Sequence, residues 1–246
     1  MATRYGSRVV QQGLLVHYDV GDYVCWPQSG SVVKDLSGNG NDGRMNAASM
    51  GSVSSSICQG VMAFDGSNDY VYYSGIDVAS AGTGNFSVEA FAFLVNLNSN
   101  GAIDSDNAGG TPLRGLQVYS AAESEPYSGR YSLVIRDSSG NIGYASGSER
   151  INASEWHHVL ATKNNQTLSF YQNGLLKQQQ TYTSLDADAF NGIGADRIGG
   201  SPEGAVNWHG MLGPFRLYNI CLTPEQVAQN FHAQRHRFGI SGSTFV

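Results

Sequence analysis

The residues of this chain that could do chemistry fall into three groups: scattered acids, one turn dense in Asp and Asn, and a set of aromatic side chains. Hydrolysing a glycosidic bond takes two carboxyl groups that flank it. One protonates the leaving oxygen and the other attacks or activates water. The acids here offer no such pair: Glu89, Glu149, Glu155, Glu203 and Glu225 each stand alone, and Glu123-Ser124-Glu125 falls in a predicted loop. No Gly-x-Ser-x-Gly nucleophile elbow is present. His157 and His158 are neighbours on a predicted strand, so they point to opposite faces and cannot chelate one ion together. On these grounds no enzyme is expected and no catalytic residue is assigned.

The turn-dense segment is Asp35-Leu36-Ser37-Gly38-Asn39-Gly40-Asn41-Asp42-Gly43. Asp35, Asn39, Asn41 and Asp42 place hard oxygen ligands close together, the kind Ca²⁺ prefers. The same side chains would equally serve by bonding the turn's own backbone amides. Sugar binding needs exposed aromatic rings that stack on the apolar face of a pyranose, with polar groups around them. Tyr72, Tyr73, Tyr127 and Trp208 are the candidate platforms, with Tyr119 beside them. Aromatics make up 11% of the chain, so most of them are required for the core.

Composition bounds what these groups can belong to. The chain has 246 residues, 41% of them hydrophobic, enough to fill one sizeable core. Charged residues are only 14%, against about 25% in an average globular chain. The 31 glycines are spread along the whole length, which suits many short strands and turns. A net charge of −6 argues against phosphate-backbone binding, and Arg235-His236-Arg237 is too short to count as a nucleic-acid patch. No apolar run is long enough to span a membrane. The charged N-terminus has no apolar core behind it, so secretion is not expected. Cys25, Cys58 and Cys221 are odd in number and scattered, which reads as buried thiols rather than a disulfide framework.

The elements that must position these groups are strands. Residues 157–163 and 167–172 form an antiparallel pair across Lys163-Asn164-Asn165-Gln166, and Asn173-Gly174 reverses the chain into a third strand at Leu175. Such a meander needs a second sheet against its apolar face. Residues 86–95 alternate Phe86, Val88, Ala90, Ala92 and Leu94 with Phe91, Phe93 and Val95, so both faces are apolar and the strand belongs in the middle of a sheet. Further strands are expected over 9–19, 32–36, 60–64, 69–73, 113–119, 130–136, 142–145 and 208–218, whereas 96–111 is expected to be a loop. Thr223-Pro224-Glu225-Gln226 is a helix start in full, with Val227 and Phe231 on one face of a short helix.

Taken in order, D-L-S-G-N-G-N-D-G, F-D-G-S-N-D-Y-V, F-S-V-E-A-F, W-H-H-V, Y-Q-N-G, R-I-G-G and F-R-L-Y-N-I-C-L-T-P-E-Q-V resemble the laminin-G-like, concanavalin A-like jelly-roll family. The resemblance covers about residues 13–238, leaving 1–12 as an N-terminal arm and 239–246 as a tail. It implies an all-β fold: a two-sheet antiparallel sandwich with one short C-terminal helix. It also implies one structural Ca²⁺ between early and late strands, although the family's acid in the last strand is replaced near Gly213 or Pro214. Related glycosidases carry Glu-x-Asp-x-x-Glu on one strand, which is absent here. The closing residues 230–239 resemble the ending of such domains in tailed-bacteriophage structural proteins. The expected function is thus a non-enzymatic virion protein of the capsid or tail. It would contact other virion proteins and copies of itself, with adhesion to a host-surface glycan as a further role. The alternatives are a stand-alone carbohydrate-binding module and a glycoside hydrolase.

Overall fold

The computed structural model describes residues 8–27, 29–46, 60–74, 84–106, 113–124, 127–137, 139–185, 195–200 and 206–241. Five short strands come first: β1 (Leu14–Tyr18), β2 (Val32–Val33), β3 (Gly43–Met45), β4 (Met62–Asp65) and β5 (Val71–Ser74). The long β6 (Phe86–Leu94) is followed by β7 (Gly101–Asp106), β8 (Leu113–Val118), β9 (Tyr131–Arg136) and β10 (Ile142–Ser146). The meander is β11 (Trp156–Asn164), β12 (Thr167–Gln172) and β13 (Leu175–Thr181). Then come β14 (Ala195–Ile198), β15 (His209–Tyr218), the helix α1 (Pro224–Gln234) and a 3-10 turn at Arg235–Phe238.

These strands form two antiparallel sheets. One runs β1-β15-β6-β11-β12-β13, with β4 also paired to β15; the other runs β10-β9-β8-β7-β14-β5-β3-β2. Their inner faces share one core, with Val16, Tyr18, Val88, Ala90, Phe215 and Leu217 from the first sheet facing Tyr131, Leu133, Ile135, Ile103 and Leu116 from the second. The expected sandwich is therefore the observed one. Its meander turns as expected on Asn173 and Gly174, both at positive φ (52° and 78°), and His158 N–H donates to the Asn173 side-chain oxygen (2.9 Å).

The strands expected over 9–19 and 32–36 are shorter than expected, and the loop expected over 96–111 is in part a strand. Within 96–111, residues 101–106 are strand β7, hydrogen-bonded between β8 and β14. Gly, Asp and Ser are poor strand formers, so local preference hides it. Tertiary packing decides instead: Ala102 and Ile103 are buried, and Asp104 accepts the Tyr73 hydroxyl at 2.7 Å inside the sandwich.

The first sheet is covered on its outer face too. Helix α1 begins with the full capping box between Thr223 and Gln226. Its Val227 packs with Leu160, Tyr171 and Leu222, and its Phe231 packs with Phe91 and Phe238. Val10 of the arm joins the same layer, its N–H donating to Asn230 Oδ1 at 2.8 Å. Past the helix, Arg237 forms a two-pronged pair with Asp19 at the end of β1 (2.6 and 3.1 Å). Residues 242–246 of the expected tail, and Cys58, Glu125 and Glu203, lie outside the described residues.

Candidate functional site: a tyrosine-lined cleft

The four residues read as calcium ligands do come together, but their polar atoms hold the loop to β1. Asp35 accepts four donors: the N–H groups of His17 (3.0 Å), Ser37 (2.9 Å) and Asn41 (3.1 Å) and the Ser37 hydroxyl (2.6 Å). Asn39 and Asn41 aim their amide nitrogens, not oxygens, at the Leu14 and Leu15 carbonyls. Asp42 accepts the Asp35 N–H and pairs with Lys34, which holds its carboxyl below the usual range. Hydrogen atoms thus face the carboxylate oxygens of Asp35 and Asp42, and with the two amide nitrogens turned to β1 this arrangement does not fit Ca²⁺. Among the described residues no three His, Cys, Asp or Glu side chains gather to hold a metal ion.

The aromatic candidates separate. Tyr73 and Trp208 are 1% and 0% exposed, so they are core residues and offer no face to a sugar. Tyr18, Tyr73 and Phe215 pack as a buried aromatic cluster, and Trp208 lies against Tyr131. Tyr72 is 36% exposed, on the other face of β5 from Tyr73, with Arg44 and Arg197 opposite it on β3 and β14. Tyr127 lines a cleft.

That cleft, of about 360 Å³, opens where the edge strands of the two sheets meet, β10 of one and β13 of the other. Tyr127, Tyr144 and Tyr182 line it with Arg130, Lys177 and Gln178. Tyr127 lies 4.7 Å from Tyr144 and 5.4 Å from Tyr119, ring centre to ring centre, in a tilted ladder. Gly143 makes room for the third ring: a Cβ there would come 2.6 Å from Leu185 and 3.0 Å from Tyr182. Without it, Tyr182 settles against β10 and donates its hydroxyl to the Tyr144 carbonyl (2.8 Å). Gln178 accepts the Ser146 N–H at 2.6 Å, which caps the edge of β10. Burial, with Tyr144 next, pushes the Tyr119 phenol up to about 12, and burial also raises Tyr127. These phenols stay neutral at any physiological pH. The cleft therefore offers ring faces, neutral hydroxyls, an amide and two cations, at the lower end of the size range for small-ligand pockets of roughly 300–1,000 Å³.

Glu89 is the acid that lies on a central strand, and it is sealed away. Its Oε1 pairs with Arg216 (2.8 Å) and His158 (3.1 Å), and its Oε2 accepts the Asn230 amide (2.6 Å) beneath α1. All four side chains are fully buried. His157 and His158 face opposite ways as expected, His157 toward Tyr131 across the core. Glu123 accepts the Asn100 amide (3.0 Å) on the exposed surface.

The family profile described as the concanavalin A-like lectin/glucanases superfamily (Laminin_G_3) matches residues 65–228, more than half of the chain. The chain belongs to this superfamily. No curated protein sequence matches it at a meaningful level. Among solved structures it is similar to the ligand-binding domain of botulinum neurotoxin serotype D in complex with N-acetylneuraminic acid. That match has 15% identity and a TM-score of 0.65, over 92% of this chain and 52% of that one. It is similar to domain 4 of a GH43 extracellular arabinanase from Geobacillus stearothermophilus in complex with arabinotriose. Here identity is 17% and the TM-score 0.62, over 88% of this chain and 97% of that one. Trypanosoma rangeli sialidase in complex with sialic acid matches at 15% identity and a TM-score of 0.64, over 92% of this chain and 33% of that one. The chain thus spans about half the length of the toxin binding domains it resembles. At these identities the likeness is one of fold.

Tyr144, Tyr182, Lys177 and Gln178 of this superfamily member are not singled out by sequence reasoning. Tyr144 lies on a strand that reads as ordinary, and Lys177 and Gln178 lie in a polar strand that reads as surface. The available signal was alternation: on β10, Gly143 and Ala145 face the core, which leaves Tyr144 on the outer side.

Proposed function

We propose that the chain is a non-enzymatic glycan-binding module whose ligand lies in the cleft between β10 and β13. The observation that carries this reading is the convergence of Tyr127, Tyr144 and Tyr182 with Gln178 in one sugar-sized recess. Rings stack on the apolar face of a sugar, and the amide and hydroxyls satisfy its oxygens. The sugars named with the similar structures, arabinotriose and N-acetylneuraminic acid, support carbohydrate as the ligand class. Among the described residues no carboxylate lines the cleft, which supports binding without hydrolysis. The test is calorimetric titration of the intact chain with a panel of oligosaccharides. Saturable binding of at least one sugar is expected, weakened about three- to tenfold by Tyr144→Ala, the effect of losing one stacking ring worth roughly 0.5–1.5 kcal/mol. Tyr72→Ala, far across the sheet, should change nothing. Equal loss in both variants, or turnover of the sugar, would overturn the reading.

The place of action is a separate proposal. We infer a virion component, held among other virion proteins and copies of itself, from the likeness of residues 230–239 to the ending of such domains in phage structural proteins. Mass spectrometry of gradient-purified particles should find the chain at a fixed copy number, and its absence from washed particles would sink this placement.

A further inference from the structure

The charge of the cleft runs against that of the whole chain. The whole chain carries a net −6, yet among the described residues the cleft is lined by Arg130 and Lys177 and by no Asp or Glu. Lys177 is exposed, and it owes its place to an irregularity in β13. Opposite Phe170 and Tyr171 of β12 stand Gln178 and Leu176, so Lys177 is the extra residue of a β-bulge. In a regular strand Lys177 and Gln178 would point to opposite faces. The bulge re-aims one of them, and both reach the cleft. Arg130 lines the other wall, where its Nη1 donates to the Ser148 carbonyl (2.9 Å) and, at 3.4 Å, to that of Gly147.

We propose that the cleft selects an acidic sugar, one that bears a carboxylate, over a neutral one. The ring would lie on the tyrosines while its carboxylate meets Lys177, with Arg130 adding to the positive field. A carboxylate matched to an ammonium makes a charge-assisted hydrogen bond, shorter and stronger than a neutral one. This inference rests on the glycan-binding reading above, and the experiment below separates the two.

The intact chain is titrated calorimetrically with sialyllactose and with a galacturonic acid trimer, and in parallel with lactose and arabinotriose, at low and at high NaCl. Either acidic sugar is expected to bind about three- to tenfold more tightly than its neutral counterpart at low salt, the range of a partly exposed charged contact. The gap should narrow at high salt, where the Debye length falls to about 3 Å at 1 M. Lys177→Gln should remove most of the preference for the acidic sugar while leaving the melting temperature in place, because Lys177 is exposed. Neutral and acidic sugars bound equally, or a preference that survives Lys177→Gln, would overturn the acidic-sugar inference and leave glycan binding standing. No binding by any sugar of either kind would overturn both.

Discussion

Burying a carboxylate under a helix costs several kcal/mol unless its partners are already in place, and Glu89 has three. Burial alone would raise its pKa, but Arg216, His158 and Asn230 hold it down at about 2. Removing the charge leaves Arg216 buried without its carboxylate. Glu89→Gln should therefore cost about 3–5 kcal/mol, read from urea unfolding midpoints. A cost below about 1 kcal/mol would mean that the cluster is not a stability element. The same geometry fixes a pH dependence. His17 is pushed down to about 4, by burial first and then by Arg216, so the folded chain keeps it neutral where the unfolded chain takes up a proton. Stability should fall as the pH drops from about 6.5 to about 4, and fall again below about 4.5 as unfolded carboxylates protonate while Glu89 stays charged. His17→Gln should shallow the first of these two declines. A first decline of unchanged depth in that variant would contradict the assignment.

At the scale of elements, what could be read from the sequence was whatever depends on neighbours in the chain. Asn173-Gly174 takes positive φ at both residues because a two-residue reversal demands it, and Thr223 with Gln226 caps α1 because both ends of that bond lie within one turn. Strand β7 was not legible, since its residues become strand only through the partners on either side. The cleft was legible in one residue, Tyr127. Its other walls come from β10 and β13, edge strands of different sheets that meet only when the sandwich closes. Composition cannot tell whether the oxygens of Asp35, Asn39, Asn41 and Asp42 face a cation or an N–H, and in the folded loop Asp35 and Asp42 accept N–H groups. The capping box gives a measurable element-level effect. Thr223→Ala should lower stability by about 1 kcal/mol, seen as a shift in the thermal midpoint. No shift would mean that tertiary packing of Val227 and Phe231 holds the helix start without its cap.

For the whole molecule, the two sheets divide the work. The first is covered on both faces, by the second sheet within and by α1, the 3-10 turn and Val10 outside. It is a scaffold. The open edge between β10 and β13 is where ring faces, an amide and two cations converge, and the central claim is that a glycan binds there. Following backbone amide shifts by heteronuclear NMR during titration with sialyllactose tests this most directly. The account predicts saturable shifts at residues 127, 130, 144, 177, 178 and 182, with residues 35–42 and Tyr72 unmoved. Saturable shifts centred on the 35–42 loop or on Tyr72, with the cleft residues still, would contradict it.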